Sequence, residues 1–373
     1  MSGPIMASKR IKEMKIGLEA TCLCNPTPTG IARYSKNLIE GLNQLSNAEG
    51  LSLKTFFSFS QRKKFQYRNL SSSIEQKAYL SSLWPINKKV DLIHGLDSKV
   101  PLWKNCKKVL TVHDLFLHIN TTDEMSPKSF REKKKKQLED LLPHLDGIIS
   151  VSEATKNDVV NRLGFPSKKV EVTHLGVDDL FTRSSEIELK KFRKKYKLDK
   201  KEYVLFIGAI SGRKNTKRMV EAFSKSNLKN SIDFILAGGL SYNGEKTKDR
   251  IRELGMNDHI RILPFIESKD LPHLYSGAKA LIFPTLYEGF GLPILEAMKC
   301  GTPVLTSKTG SAPEVSGGHA LLVNPYDVDE IKSGMEEIIT KSLKERKTAR
   351  FYADSFTWKR TAERTLSAYT NFL

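Results

Sequence analysis

Residues 280–303 read ALIFPTLYEGFGLPILEAMKCGTP, and this stretch decides the fold. A short apolar run meets a turn carrying Gly289 and Gly291, then a helical pattern with Pro293 in its first turn, then a second apolar run after Pro303. Strand, glycine turn, helix and strand in succession form the repeating unit of a parallel sheet. The glycines let a ligand approach the backbone, and the helix start offers unpaired N–H groups and the positive end of the helix dipole. Two carboxylates bracket the turn, Glu288 before it and Glu296 one turn into the helix. In one reading the turn holds a phosphate or a sugar oxygen, and Glu296 accepts from a diol such as a ribose. In the other it is an ordinary βα turn with a helix-start glutamate favoured by the dipole.

The same alternation extends outward in both directions. KIGLEA from Lys15, LKTFFSF from Leu53, VDLIHG from Val90, KVLTVHD from Lys108 and GIISVS from Gly147 are apolar on both faces, as buried parallel strands are. Between them lie helical patterns such as 31–45. Around 178–200 the pattern gives way to charge (DDLFTRSSEIELKKFRKKYKLDK), which predicts a connection containing a short helix. YVLFIG, FILAGG, IRILPF, ALIFPT and PVLTS then restart the alternation, with helices expected near 215–226, 244–254, 269–276, 292–299 and 328–340. The expectation is two Rossmann-like, doubly wound α/β domains facing an interdomain cleft. Their bounds are a disordered lead-in at 1–13, a first domain at 14–180, a linker at 181–200, a second domain at 201–353 and a C-terminal helix at 354–373 that packs back toward the first.

Composition removes several classes. The 373 residues contain no apolar run of about 18, the length a membrane-spanning helix needs. The opening 14 residues lack the apolar core of a secretory signal. Cys22, Cys24, Cys106 and Cys300 fit neither a disulfide framework nor a zinc spacing, so a reduced, cytoplasmic setting is expected. Asp327-Val328-Asp329 has the look of a metal–diphosphate clamp, but it precedes a helical pattern, which makes Asp327 an N-cap. The formal charge is +19, and residues 51–144 carry 18 Lys/Arg against 9 Asp/Glu. A solvated surface explains that, and so does attraction to a polyanion. No aromatic residues interleave with Lys133–Lys136 and no nucleic-acid motif appears, so an anionic membrane surface is the better polyanion. No G-x-G-x-x-G follows a strand, which argues against a dinucleotide oxidoreductase.

Glu288-x7-Glu296 in its setting FPTLYEGFGLPILEAMKCGTPV resembles the signature of the retaining, nucleotide-sugar-dependent glycosyltransferases of family 4, which have the GT-B fold. GIARYSKNLIEGL from Gly30, ISVSEATKNDVVNRLG from Ile149, VTHLGVDDLF from Val172, LFIGAISGRKNTKRMVEAF from Leu205 and GSAPEVSGGHALLVNP from Gly310 match that family in the same order. The resemblance spans Met14 to the C-terminus.

It implies a role for each matched residue. Glu288 lies near the donor sugar, the backbone of Gly289, Phe290, Gly291 and Leu292 contacts sugar and diphosphate, and Glu296 binds the ribose hydroxyls. Arg213 and Lys214 neutralise the departing diphosphate, which independently needs fixed cations where no metal serves. Many members carry an Arg directly after the strand-end glycine. Here Ala209 follows Gly208, which leaves that task to Arg213. Gly30 clears a path to the diphosphate, His113 hydrogen-bonds a donor-sugar hydroxyl, Asp114 shapes the acceptor side, and Phe265 and Ile266 hold the base.

The implied reaction moves a hexose with retention, without metal or other cofactor, to a hydroxyl of a glycan or lipid-linked acceptor. A covalent glycosyl–Glu288 intermediate is the second route. GIARYSKNL, TVHDLF and GRKN resemble the mannosyltransferase branch and point to GDP-mannose, for lipopolysaccharide-type synthesis at the inner membrane face. The alternatives are a UDP-sugar donor and, in another class, a non-enzymatic polyanion- or membrane-binding protein. A pyridoxal-dependent phosphorylase shares the two-domain fold.

Overall fold

A computed structural model describes residues 14–25, 29–67, 70–80, 90–119, 126–263 and 266–373. The expected lead-in at 1–13 and Phe265 lie outside the described residues. The chain divides into two compact units, one comprising Met1–Leu115, Lys134–Gly176 and Phe356–Leu373, the other Phe116–Lys133 and Val177–Ser355.

The first unit holds a seven-stranded parallel sheet of β1 (Lys15–Glu19), β2 (Ser52–Ser58), β3 (Glu75–Tyr79), β4 (Leu92–Gly95), β5 (Lys107–Val112), β6 (Gly147–Ser150) and β7 (Val170–Val172), in the order β3-β2-β1-β4-β5-β6-β7. The second holds six strands, β8 (Glu202–Ile207), β9 (Ile232–Ala237), β10 (Ile260–Leu263), β11 (Leu281–Phe283), β12 (Val304–Ser307) and β13 (Leu321–Val323), in the order β10-β9-β8-β11-β12-β13. Both are the doubly wound order, in which the winding reverses once, between β1 and β4 and between β8 and β11. Central strands such as β4, β6, β11 and β12 are buried along their whole length, which is why they stand out as apolar runs. The edge strands β3 (EQKAY), β7 (VEV) and β13 (LLV), absent from the sequence reading, are half-exposed; β3 and β7 carry no such run, and β13 is only three residues long.

Two boundaries differ from expectation. The stretch 181–200 is not a free connection, because its helix Glu186–Lys195 is anchored within the second unit. Arg193 donates to Glu202 and to the Gly277 carbonyl, and Lys195 and Tyr196 reach Asp270 at 2.6 and 2.7 Å. Residues 116–133 also group with the second unit, although they follow a first-sheet strand in sequence. The helix Trp358–Phe372 belongs to the first unit. Phe372 fills the space over Gly147 where a Cβ would come within 2.5 Å, and the Tyr369 hydroxyl lies 2.7 Å from His94 Nδ1. His94 meets Thr111 through its other nitrogen, and full burial lowers its pKa to about 3, so the ring stays neutral.

Glu19 ends β1 inside the first unit, 1% exposed, accepting from the Tyr79 hydroxyl at 3.0 Å and from Thr21. Burial pushes its pKa up from 4.5 to about 7, against the opposing pull of those hydrogen bonds. The folded state therefore holds its proton more tightly than the unfolded chain. The stability this contributes is complete below about pH 4.5 and lost as pH rises through about 7. Between pH 5 and pH 8 the thermal midpoint of the wild type should fall relative to that of Glu19→Gln, measured by calorimetry in matched buffers. A constant gap between the two proteins across that window would contradict the assignment.

Candidate active site

In a doubly wound sheet, ligands bind beyond the carboxyl ends of the strands where the winding reverses. In the second unit that point is flanked by the loops after β8 and β11, which carry Arg213-Lys214 and the Glu288 turn. Asn215 ties the two loops together. It is 2% exposed, sits in the left-handed region (φ 63°), and its side-chain amide donates to the Pro284 and Pro325 carbonyls at 2.9 and 2.6 Å. The Arg213 carbonyl accepts from the Leu286 N–H at 3.1 Å, and the Arg213 guanidinium donates to the Tyr287 carbonyl at 3.1 Å.

These bonds bring three charges to one place. Lys214 Nζ lies 2.6 Å from Glu288 Oε1, and Arg213 lies 3.5 Å from the same oxygen. All three side chains are largely shielded from solvent. Burial by itself would raise the Glu288 pKa, but Lys214 and Arg213 outweigh it and hold the carboxyl below its ordinary value. Glu288 is thus a carboxylate at neutral pH and has no proton to donate. Two cations against one carboxylate leave one net positive charge, which suits an arriving anion.

The turn itself is held from behind. The Ser311 hydroxyl lies 2.9 Å from both the Glu288 and Phe290 carbonyls. Gly291 takes φ 96° to start the helix Leu292–Lys299, a conformation in which any other residue would be strained. Glu296 is 4% exposed and its Oε2 accepts from the Tyr275 hydroxyl at 2.7 Å. The two glutamates of the sequence signature therefore have different surroundings, Glu288 among cations and Glu296 against a tyrosine. Ile266 is buried just after β10. Asp327 caps the helix Val328–Ile338 by accepting from the N–H groups of Asp329 and Glu330 at 2.9 and 3.0 Å. Among the described residues no cluster of three or more His, Cys, Asp or Glu is placed to hold a metal ion.

In the first unit the corresponding reversal lies between β1 and β4. Gly30 opens the helix Gly30–Glu49 after the N-cap Thr29, and a Cβ there would meet nothing within 4 Å. Packing within the unit therefore does not demand a glycine at that position. His113 follows β5, half-buried, edge-on to Tyr34 at 4.8 Å, with Nε2 2.8 Å from the Leu96 carbonyl. A carbonyl only accepts, so Nε2 carries the proton. Burial lowers the ring's pKa below the usual value, leaving a neutral imidazole with Nδ1 as acceptor. Asp114, half-buried, is next in the chain.

Sequence reasoning missed Asn215, Ser311 and Tyr275. Asn215 could have been found, because it closes the quoted GRKN and asparagine is favoured in the left-handed region. Ser311 and Tyr275 reach the site only through the fold.

A model of the group 1 glycosyl transferases matches residues 188–355, and a model of glycosyltransferase family 4 matches residues 28–179. The chain belongs to these glycosyltransferases. The O-antigen chain mannosyltransferase B of Escherichia coli is 29% identical over 367 residues, covering 91% of this chain and 96% of that one. The serotype-specific mannosyltransferase WbdA of Escherichia coli is 30% identical over 276 residues, 72% of this chain but 34% of that longer protein. Among solved structures, sucrose-phosphate synthase from Thermosynechococcus elongatus has a TM-score of 0.75 at 19% identity, over 95% of this chain and 98% of that one. WaaG, a lipopolysaccharide glycosyltransferase, has a TM-score of 0.71 at 14% identity, over 94% and 98%. The fold of this glycosyltransferase is GT-B, with one parallel-sheet α/β domain in each unit.

Replacing Asn215 by Ala leaves two buried carbonyls unpaired and a strained backbone, each carbonyl costing about 1–3 kcal/mol. The midpoint of the second unit should fall by several degrees, at roughly 2–4 °C per kcal/mol. Asn215→Gly relieves the backbone and not the carbonyls. Full recovery by glycine in differential scanning calorimetry would show that the amide bonds do not hold the loops.

Proposed function

We propose that this glycosyltransferase moves a mannosyl group from GDP-mannose to a hydroxyl of a glycan or lipid-linked acceptor, with retention at the anomeric carbon and without a metal ion. The observation that carries the reading is the shielded Arg213–Lys214–Glu288 cluster beside the N-terminus of the helix Leu292–Lys299. A nucleoside diphosphate gains negative charge as it leaves, and two fixed cations with a helix N-terminus stabilise it where that charge develops. The acceptor oxygen attacks the anomeric carbon as the bond to the diphosphate breaks, and a phosphate oxygen takes the acceptor proton. Glu288, held ionised, lies by the donor sugar. Glu296 takes the ribose hydroxyls, with Ile266 and Phe265 at the base. In this reading neutral His113 bonds a donor-sugar hydroxyl, Gly30 leaves room for the diphosphate, and Asp114 serves the acceptor side.

The mannosyl choice rests on the names of the two Escherichia coli relatives, which also suggest O-antigen or lipopolysaccharide synthesis. A UDP-sugar donor is the second reading, because Anabaena HepE, with a TM-score of 0.73 at 18% identity, is solved with UDP and glucose. Among the described residues no helix is long and apolar enough to cross a membrane. A peripheral site of action on the cytoplasmic face, drawn there by basic charge, fits the proposal.

GDP and GDP-mannose should raise the thermal midpoint equally with and without EDTA. Ligand at a hundred times its dissociation constant adds about 2.7 kcal/mol. A shift confined to UDP compounds would overturn the donor, and a shift that EDTA abolishes would overturn metal independence. Arg213→Ala should lower kcat about 10²–10³-fold, as loss of one charge-stabilising donor does elsewhere. An α-linked product from an α-linked donor, seen by NMR, is the expected stereochemistry.

A further inference from the structure

At the opposite, amino-terminal end of the second sheet lies a cavity of about 590 Å³, within the size range of ligand sites. Its walls come from the segments just before β8 and β11 and from the helices Glu186–Lys195 and Leu343–Asp354. Five cations face it, Arg183, Lys190, Arg193, Lys279 and Arg346, against three acids.

The acids do not neutralise the whole set. Glu202 is shared by Arg193 at 3.1 Å and Lys279 at 3.6 Å, while Arg183, Glu186, Lys190 and Asp199 are exposed to solvent. Arg183 has no hydrogen-bond or ion-pair partner among the described residues. Among the described residues Arg346 donates only through Nε, to the Lys341 carbonyl at 3.2 Å. Burial and then the like charge of Arg183 lower the Arg346 pKa, so these two guanidiniums are near enough to repel one another. Arg193 adds a buried Nε–H that finds no acceptor among the described residues. Paired planar forks of this kind match the oxygens of a phosphate group.

We propose that this cavity is a second anion site, which takes a diphosphate or a phosphate-ester group between Arg183 and Arg346. It is separate from the donor turn. The helix Leu292–Lys299 starts at the donor turn, and Arg183 lies over Gly301 at the helix's other end, 3.3 Å from where a Cβ would stand. The proposal does not rest on the donor or the reaction, since the anion alone is the ligand.

The test is calorimetric titration of the full chain with inorganic pyrophosphate. In an Arg213→Ala background, which weakens the donor turn, binding should persist. Adding Arg183→Gln with Arg346→Gln should weaken it at least tenfold, while far-UV circular dichroism stays unchanged. If the glutamine pair does not fold, Arg183→Lys with Arg346→Lys keeps the charge, loses the fork and should weaken binding severalfold. A second arm compares retention on phosphatidylglycerol and phosphatidylcholine vesicles. Retention on phosphatidylglycerol that depends on Arg183 and Arg346, without pyrophosphate binding, would make the phosphate a lipid headgroup. The proposal fails if neither pyrophosphate nor phosphatidylglycerol binding responds to Arg183 and Arg346.

Discussion

Strands β8 and β11 are neighbours in one sheet, yet the chain winds away from them in opposite directions. Right-handed crossovers then send the helices that follow them to opposite faces, so the two loops part at the strand ends and leave a crevice. The site depends on this geometric constraint. Arg213, Lys214 and Asn215 lie on one lip, and 284–291 lie on the other. Without the reversal, a following helix would cover the strand ends and the Lys214–Glu288 ion pair would have no reason to face a ligand.

The crevice is held at a defined width by bonds that carry no net charge. Asn215 bridges to the Pro284 carbonyl, and Ser311 holds the turn carbonyls of Glu288 and Phe290. Arg213 adds to them by donating to the Tyr287 carbonyl, and the Lys214–Glu288 ion pair crosses between the same two loops. A shielded carboxylate that compensates two cations in the absence of ligand can yield them to a stronger anion. That exchange avoids leaving a cation buried and unpaired in the unliganded protein.

The far end of the same sheet shows a different balance. There one acid, Glu202, is shared by Arg193 and Lys279, and the charge of Arg183 acts against that of Arg346. At the Glu288 turn the protein supplies its own counter-ion to Arg213 and Lys214. At the amino-terminal cavity it supplies none, among the described residues, for Arg183 and Arg346, and the helix Leu292–Lys299 spans the distance between the two arrangements.

The alternation of apolar runs with amphipathic segments was enough to establish two parallel α/β sheets, because strands buried on both faces have no polar positions to disguise them. The turn at 288–292 and the basic pair Arg213-Lys214 were legible for a related reason, since glycine, a helix start and fixed cations are local chemistry. The edge strands β3 and β7 were not legible, because a half-exposed strand loses the continuous apolar pattern, and β13 was missed because it is only three residues long. The stretch 181–200 looked like a linker because its helix is mostly charged, and two of its anchors, Asp270 and Gly277, lie far along the chain. Tertiary structure alone decided that Glu288 sits among cations while Glu296 meets Tyr275, and that Ser311 holds the turn. Those contacts join residues between 21 and 75 positions apart, and only a folded sheet brings such residues within a few ångströms of one another.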